Sequence, residues 1–314
     1  MLSEFQFIDK LRLKYSLAKI GDDCAVLPKD ANTDLLLTAD MLIEDIDFRL
    51  KWTTPEFLGH KALAVSLSDI AAMGGKATWA MSSIGIPEEL WKTGFLDRFY
   101  AGWCELATKY SVELIGGDVS RSPDKFVVDC IVAGEVAKGK AILRSGAKVG
   151  DAIFVTGTLG AAAGGLALLE KGFEIDTDRR GPATNLVLRQ LKPIPQLEAA
   201  NSLQQHGIVT SMLDLSDGLS SDLAHICNAS GVGAMIYADH LPVNDDLRAY
   251  FDPAGCLEMA LNGGEDLELL FTASQAPTQI HATCIGNITA KKGNIELVRN
   301  GNTEPLAPRG YRHF

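Results

Sequence analysis

What this chain lacks narrows its reading before any motif is considered. Its six cysteines, at positions 24, 104, 130, 227, 256 and 284, form no Cys-x-x-Cys pair, so a zinc ribbon is not expected. Scattered cysteines in a chain of this length suit a reducing cytosol, and a cytoplasmic protein is expected. No apolar run approaches the roughly 20 residues needed to cross a bilayer. Glu4 and Asp9 interrupt the first amphipathic stretch, which argues against a signal peptide. The histidines at 60, 206, 225, 240, 281 and 313 show no i, i+4 pair and no ligand spacing, and read as structural or surface residues. There is no Gly-x-Ser-x-Gly, so acyl transfer has no support. Positive charge is scarce as well. A net charge of -11 argues against non-specific nucleic-acid binding, and phosphates could be bound only if metal ions neutralised the carboxylates.

What is present is a normal globular composition, 46% hydrophobic and 22% charged over 314 residues, long enough for two domains. The stretch from Lys138 to Gly150 is rich in Gly and Lys and is taken as the boundary between a domain at 1–145 and one at 146–314. In the first domain, Ser3 and Gln6 form a capping box before a helix over 4–15, and strands follow near 24–27 and 35–39. Thr54-Pro55 reads as N-cap and first helical position of a helix to Met73, ended by Gly74-Gly75. A strand at 77–86 precedes Trp91, Phe95, Phe99, Trp103 and Leu106, whose spacing predicts a helix packed on a sheet, with Tyr100 off that stripe. Residues 126–135 alternate as a strand. In the second domain, strands are expected at 152–155, 233–238 and 267–272. Helices are expected from the glycine turn at 156–160 to Gly172, and at 183–192, 196–206, 219–229 and 254–261. The two sets of elements predict an α/β (α+β) protein.

Acids recur beside glycines at the ends of these elements. Asp22 and Asp23 follow Gly21, and Thr38 and Asp40 end the second strand. Gly116-Gly-Asp118, Asp214-Leu-Ser-Asp-Gly218 and Gly263-Gly-Glu-Asp266 repeat the pattern. Such loops look like one converging oxygen-rich site, the kind hard divalent cations require. Asp69 falls in the last turn of its helix, where a carboxylate opposes the helix dipole. It is either an exposed residue or the neighbour of something positive. Asp217 could instead cap the helix that follows it. Thr156-Gly-Thr-Leu-Gly160 has the strand–turn–helix form of a phosphate cradle but lacks the Lys-Ser/Thr of a P-loop. Tight helix–sheet packing is the alternative there. An acidic site with one arginine, Arg144, suits Mg²⁺–nucleotide chemistry, in which the protein mainly positions phosphates and neutralises charge.

Taken in order, Gly21-Asp-Asp-Cys-Ala25, Lys61-Ala-Leu-Ala-Val65, Leu67-Ser-Asp-Ile-Ala-Ala-Met-Gly74, Ile115-Gly-Gly-Asp118 and Arg144-Ser-Gly-Ala-Lys148 resemble the thiamine-monophosphate kinases. So do Val155-Thr-Gly157, Asp214-Leu-Ser-Asp-Gly218, Gly263-Gly-Glu-Asp266, Gly310-Tyr311 and His313-Phe314. Aminoimidazole ribonucleotide synthetase, selenophosphate synthetase and a hydrogenase-maturation protein share the wider superfamily. The selenophosphate branch needs a reactive Cys or selenocysteine in a glycine-rich loop, and Cys24 has no such surroundings. The resemblance implies a two-domain aminoimidazole ribonucleotide synthetase-like fold, with an N-terminal sheet domain that dimerises and a C-terminal α/β domain. It implies direct phosphoryl transfer from ATP to thiamine monophosphate, assisted by several Mg²⁺ ions. By matching positions, Asp23, Thr38, Ala39, Asp40, Asp69, Asp118, Asp214 and Asp217 would hold Mg²⁺, Ala39 through its carbonyl. Asp118 and Asp217 would be essential for turnover. Tyr100, Gly117, Asp118, Arg144 and Ser216 would meet ATP, and Asp47, Glu265 and Tyr311 the thiamine moiety. Two positions depart from the family pattern. Thr38-Ala39-Asp40 stands where Thr-Thr-Asp or Ser-Thr-Asp is usual, and Asp47-Phe48 where the family has His before Phe. These departures keep open an inactive nucleotide-binding regulator, or a superfamily enzyme with another acceptor.

Overall fold

The computed structural model describes residues 4–176 and 180–313; Ser3 of the expected capping box and the terminal Phe314 lie outside them. The first half contains α1 (Glu4–Tyr15), β1 (Ala25–Pro28), β2 (Thr33–Ile43), α2 (Pro55–Ala72), β3 (Lys76–Pro87), α3 (Glu88–Trp91), α4 (Phe95–Tyr110), β4 (Glu113–Ser122) and β5 (Val127–Ala137). Its five strands form one sheet in the order β1-β2-β5-β3-β4. Only β3 and β4 run parallel, and α4 supplies the crossover that a parallel pair needs.

The second half contains β6 (Ala152–Thr156), α5 (Ala161–Glu170), α6 (Pro182–Leu191), α7 (Leu197–His206), β7 (Val209–Asp214), α8 (Leu219–Ser230) and β8 (Gly233–Tyr237). After these come α9 (Pro253–Asn262), β9 (Leu269–Ala273), β10 (Ala282–Thr289), β11 (Ile295–Arg299) and β12 (Asn302–Pro305). Its strands form a second sheet in the order β12-β11-β8-β10-β6-β9-β7. The architecture is an α/β two-domain fold with mixed sheets.

Helix α2 is the spine between the halves. Thr54 Oγ1 accepts the Phe57 N–H and Pro55 fills the first turn, as the local sequence predicts. Nearly every residue from Leu58 to Ala72 is buried, because α2 packs on β2 and β5 and on α4, and also meets α6, α7 and β7 of the second half. Two glycines set the approach of α2 to α4. A Cβ on Gly59 would stand 1.9 Å from the Phe99 carbonyl oxygen, and one on Gly102 would stand 1.9 Å from that of Glu56. One hydrophobic core consequently runs from Leu36, Phe99 and Trp103 through Leu67 to Phe154 and Phe271.

The other face of the first sheet carries no helix. Leu35, Leu37, Trp79, Met81 and Ile131 are half-buried there. Met41 is 56% and Ile115 is 51% exposed.

Several sequence expectations need correction. The aromatic stripe starts at Phe95, not at Trp91. Trp91 ends the short α3 and is exposed, because Gly94 in a left-handed conformation opens a separate helix. Gly116-Gly-Asp118 is not a loop but the middle of β4. The last strand of the acidic motif begins at Leu269 rather than 267, since Leu267 has φ +52. Strands β7 and β10–β12 had no counterpart in the sequence reading.

Candidate active site

Four acids meet where α2 crosses the ends of β2 and β7. Asp23 comes from the turn before β1, Asp40 from β2, Asp69 from the last turn of α2 and Asp214 from the end of β7. Oxygens of Asp23, Asp69 and Asp214 lie within 4.8 Å of one another. Thr38 Oγ1 donates to Asp69 Oδ2. Asp40 is close enough that its charge raises the pKa of Asp69 and Asp214. Among the described residues the cation paired with this group is Arg144, whose guanidinium donates to Asp23 Oδ1 while its backbone N–H donates to Asp22 Oδ1 at 2.8 Å. Burial dominates the titration of all four. It raises Asp23 despite Arg144, pushes Asp40 to about 6 and Asp214 to about 7, and holds Asp69 well above the carboxylate range. Asp23 Oδ2 and Asp40 Oδ2 are buried without a hydrogen-bond partner. Buried acids that repel one another and leave oxygens unpaired fit hard divalent cations, which take oxygen ligands and remove that repulsion.

The loops of the second half are laced to this group by main-chain bonds. Glu265 N–H donates to Ser216 O at 2.8 Å, and Leu267 N–H to Leu215 O at 3.0 Å. Glu265 takes φ +67 to do so, an unusual conformation for a residue with a side chain. The C-terminal tail joins the same loops, with Tyr311 N–H donating to Asp217 O at 3.0 Å and Gly310 N–H to Ser221 Oγ at 2.9 Å. Asp217 does not cap α8. The Gly218 N–H is taken by Asp222 Oδ2 at 2.9 Å, and the partly buried Asp217 carboxylate lies within 4.8 Å of Asp222 and His225. Ser216 is exposed beside it.

A second set of residues gathers there. Glu265 Oε1 lies 2.6 Å from Lys61 Nζ, and Gln190 Nε2 donates to Glu265 Oε2. Asp47 accepts the Ile43 N–H at 2.8 Å. Burial raises its pKa, and the charges that reach it are those of His313, Glu265 and Lys61. Tyr311 is raised by burial and by Asp47, Glu265 and Asp217. The three expected acceptor contacts, Asp47, Glu265 and Tyr311, therefore share one pocket rim, and Asp217 stands between them and the acid group.

Asp118, Gly117 and Tyr100 stand apart. Across the first sheet, Asp40 pairs with Cys130, Cys130 with Ser82, and Ser82 with Gly117; the next row runs Met41, Asp129, Ser83, Asp118. Paired residues share a face, so Asp118 sits on the open face with Met41, opposite Thr38 and Asp40. It accepts a bond from Ser120 Oγ at 3.2 Å and belongs to neither group. Gly117 has φ +153, and a Cβ there would stand 1.9 Å from Ser82 O, so glycine is required for the strand pairing itself. Tyr100 packs edge-on against Phe99 at 5.4 Å and is half-buried.

The glycine turn at 156–160 is resolved in favour of packing. Asp266 accepts the N–H groups of Gly160 at 2.5 Å and Ala162 at 3.0 Å, so the start of α5 already holds an anion. Glu268, beside it, accepts from Thr156 Oγ1 at 2.7 Å and from Arg189 Nη2 at 2.6 Å.

Sequence reasoning missed Lys61 and Gln190 as members of the site, and Ser68 on the same helix as Lys61, whose hydroxyl is buried near Asp214 without a hydrogen-bond partner. A lysine between apolar neighbours in a helix that buries almost everything was the available signal for Lys61. His225, read as structural, places a ring nitrogen within 4.8 Å of carboxylate oxygens of Asp217 and Asp222.

The chain is similar to known proteins over nearly its whole length. Residues 21–136 match the family AIR synthase related protein, N-terminal domain, and residues 148–294 match its C-terminal domain. The thiamine-monophosphate kinase of Escherichia coli strain K12 is 37% identical, over 99% of this chain and 95% of that protein. The thiamine-monophosphate kinase of Bacillus subtilis strain 168 is 36% identical, over 94% and 93%. The solved structure of AaThiL complexed with AMPPCP and TMP superposes with a TM-score of 0.89 at 32% identity, covering 100% of this chain and 97% of that one.

Proposed function

The chain belongs to the thiamine-monophosphate kinases of the AIR synthase related family, and from that premise we propose how its residues move a phosphoryl group from ATP to thiamine monophosphate. It is a kinase that uses ATP as co-substrate and yields thiamine diphosphate. The observation that carries the assignment of roles is the union of two contrasting groups. Asp23, Asp40, Asp69 and Asp214 form an acid cluster with Arg144, and a few residues away lies a pocket rim of Asp47, Glu265 and Tyr311.

The acid cluster is the donor end. Asp23, Asp40, Asp69 and Asp214, with Thr38 and the Ala39 carbonyl, would hold Mg²⁺, and Asp217 would hold it on the acceptor side. Bound there, the ions supply neutralisation of the phosphates and of the charge on the transferred group. The protein's own part is placement. Arg144 keeps Asp23 turned into the cluster, and Thr38 keeps Asp69 there. The main-chain bonds between 214–218, 263–268 and Tyr311 hold acceptor and donor in register for direct in-line transfer. Ser216 and Arg144 are the ATP contacts available on this side. The division of labour follows the halves, with 1–145 as the ATP, Mg²⁺ and dimerisation domain and 146–314 closing over it.

Asp118 is assigned to the donor site through a homodimer, while Gly117 and Tyr100, on the helix-covered side of the same sheet, are assigned as ATP contacts by the resemblance alone. The open face of the first sheet, with Met41, Met81, Ile115 and Ile131, is an apolar surface of the kind a monomer seldom leaves uncovered. Asp118 lies at that face, so it would serve a donor site once a second copy covers the sheet. Sedimentation showing only monomer at micromolar concentration overturns this part.

No helix among the described residues is long and apolar enough to cross a membrane, and the six cysteines are free thiols, which supports a cytoplasmic location. The deciding experiment is purified protein with ATP, Mg²⁺ and thiamine monophosphate, read as thiamine diphosphate formed. Inversion at a chirally labelled γ-phosphate is the expected sign of direct transfer. Absence of product under saturating conditions refutes the assignment.

A further inference from the structure

Lys61 has no part in the roles given above, yet it is among the most enclosed charges in the molecule. It lies in α2, is 3% exposed, and its ammonium sits 2.6 Å from Glu265 Oε1. The pair joins the helix of the first half to the acidic loop of the second. The other oxygen of Glu265 is held by Gln190, and its backbone is fixed in the left-handed region at φ +67. Both oxygens of Glu265 are thus engaged by the protein before any acceptor arrives. Asp47, on the same rim, has one oxygen on the Ile43 N–H and no ion-pair partner among the described residues.

We propose that Lys61 is the positioning residue of the acceptor pocket: it neutralises and locks Glu265, so that Asp47 is left as the carboxylate that reads the positive charge of the acceptor's ring. This rests on the reading of Asp47, Glu265 and Tyr311 as the acceptor rim. The logic is one of charge count. Lys61, buried, and Glu265, partly buried, cancel as a pair, and a pair with both partners held has little to offer a ligand. A carboxylate without a close cation in a partly desolvated pocket favours a cation over a neutral isostere of the same shape. Glu265 then supplies shape, Tyr311 an aromatic face, and Asp47 the discrimination. His313 is the other charged group that reaches Asp47. It belongs to the C-terminal tail, where its Nδ1 lies 3.5 Å from Tyr311 Oη.

The test uses the full-length enzyme with two acceptors, thiamine monophosphate and its neutral isostere in which the thiazolium nitrogen is replaced by carbon. For Lys61→Met, the KM for either acceptor should rise about tenfold or more, with the KM for ATP within about threefold of wild type, since only acceptor placement is lost. For Asp47→Asn, the preference in kcat/KM for the cationic over the neutral acceptor should fall by about tenfold, with the neutral acceptor little affected. Should Lys61→Met be too unstable to assay, the double variant Lys61→Met/Glu265→Gln leaves no buried charge unpaired and carries the same expectation for acceptor KM. An unchanged acceptor KM in that variant, or an equal rise in both KM values, overturns the positioning role. An unchanged cation preference in Asp47→Asn overturns the charge reading. Failure of the wild-type protein to phosphorylate thiamine monophosphate would be a failure of the kinase assignment, and is distinguishable because the variants are never needed to see it.

Discussion

Two groups of buried carboxylates in this molecule have had opposite fates. Asp266 and Glu268 are 3% and 2% exposed, and each is answered from within: Asp266 by the Gly160 and Ala162 N–H groups, Glu268 by Arg189 and Thr156. Asp23, Asp40, Asp69 and Asp214 gather around one point with Asp214 buried and the other three partly buried; they share a single arginine, and two of their oxygens are enclosed with no partner. Burying a charge is costly unless it is paired and hydrogen-bonded. The first group satisfies that rule and serves the fold. The second leaves enclosed oxygens of Asp23 and Asp40 unanswered and sets four acids against one arginine, a violation that persists where a ligand completes the set. A carboxylate withdrawn from solvent is structural or functional according to whether the protein itself supplies the counter-charge.

The largest effect that would break this comparison is at the unsatisfied group. Asp69→Asn should lower turnover by about 10²–10³-fold, the loss expected on removing one preorganised electrostatic contact. Without divalent cations it should also raise stability, because it removes one of four mutually repelling carboxylates. A coupled ADP assay and thermal unfolding with a chelator measure both. Asp217→Asn should lose turnover similarly, since its carboxylate is free of the α8 cap. If Asp69→Asn lost stability along with activity, the cluster would be a structural one and the contrast with Asp266 would fail.

The converse variant, Asp266→Ala, should destabilise the chain by about 3 kcal/mol, because two buried N–H groups lose a charged acceptor. Activity at low temperature should survive, since the start of α5 lies outside the acid cluster. Denaturant unfolding read beside initial rates at 10 °C separates the two outcomes. A variant with wild-type stability would show that the Gly160 turn does not depend on its internal anion.

Acidity offers a third way to sharpen the contrast. Asp40 and Asp214 stand at about 6 and about 7 in the folded chain, against about 4 for an unfolded aspartate. Between those values the folded state binds protons that the unfolded state has released. The stability these groups contribute is therefore complete below about pH 4 and is lost as pH rises through about 6 to 7. Thermal scans of the metal-free protein should show this decline, and millimolar Mg²⁺ should flatten it. Asp30, Asp34 and Asp45, held below the usual range by surface hydrogen bonds, titrate beneath the window. A flat metal-free profile from pH 4 to 8 would mean that the four acids do not share one low-dielectric site.

How much of this was legible in the sequence depended on what each residue's neighbours announced. Asp23, Asp69 and Asp214 were flagged by glycine turns or by an adverse place in a helix, and the structure gathers them. Asp118 was flagged the same way but for a misleading reason. Its glycines are there because β4 must approach the Ser82 carbonyl, and the segment is an exposed edge strand rather than a loop. Asp47, Glu265 and Tyr311 could be placed only by resemblance, because what unites them is main-chain bonding among 216, 217, 265 and 311, which leaves no trace in side-chain pattern. Lys61 was quoted inside a motif without a role, since one cation in an apolar helix carries no spacing signal. The short strands β11 and β12 are too brief, and β12 too polar and exposed, to alternate visibly.

The smallest expected effect concerns Ala39, between two members of the unsatisfied group. In β2, Thr38 is buried on the helix-covered side and Ala39 is exposed on the other. Its row runs across the sheet to Ile131 and Met81, both on the open apolar face. A side chain at 39 therefore points away from Asp69, to which Thr38 donates, and the carbonyl is what residue 39 can offer an ion in the cluster. Ala39→Thr restores the hydroxyl usual in the family, yet it should shift the apparent Mg²⁺ affinity by less than about threefold, far below the 10–100-fold that outer-shell partners command. It acts instead on the face proposed to meet a second copy, where an unpaired hydroxyl would cost about 1–3 kcal/mol if fully buried. Activity titrated against Mg²⁺ and sedimentation of both proteins separate these consequences. A gain of tenfold or more in Mg²⁺ affinity would place the residue 39 side chain at the ion after all. It would show that this chain carries a weakened metal site and restore the case for an inactive nucleotide-binding regulator.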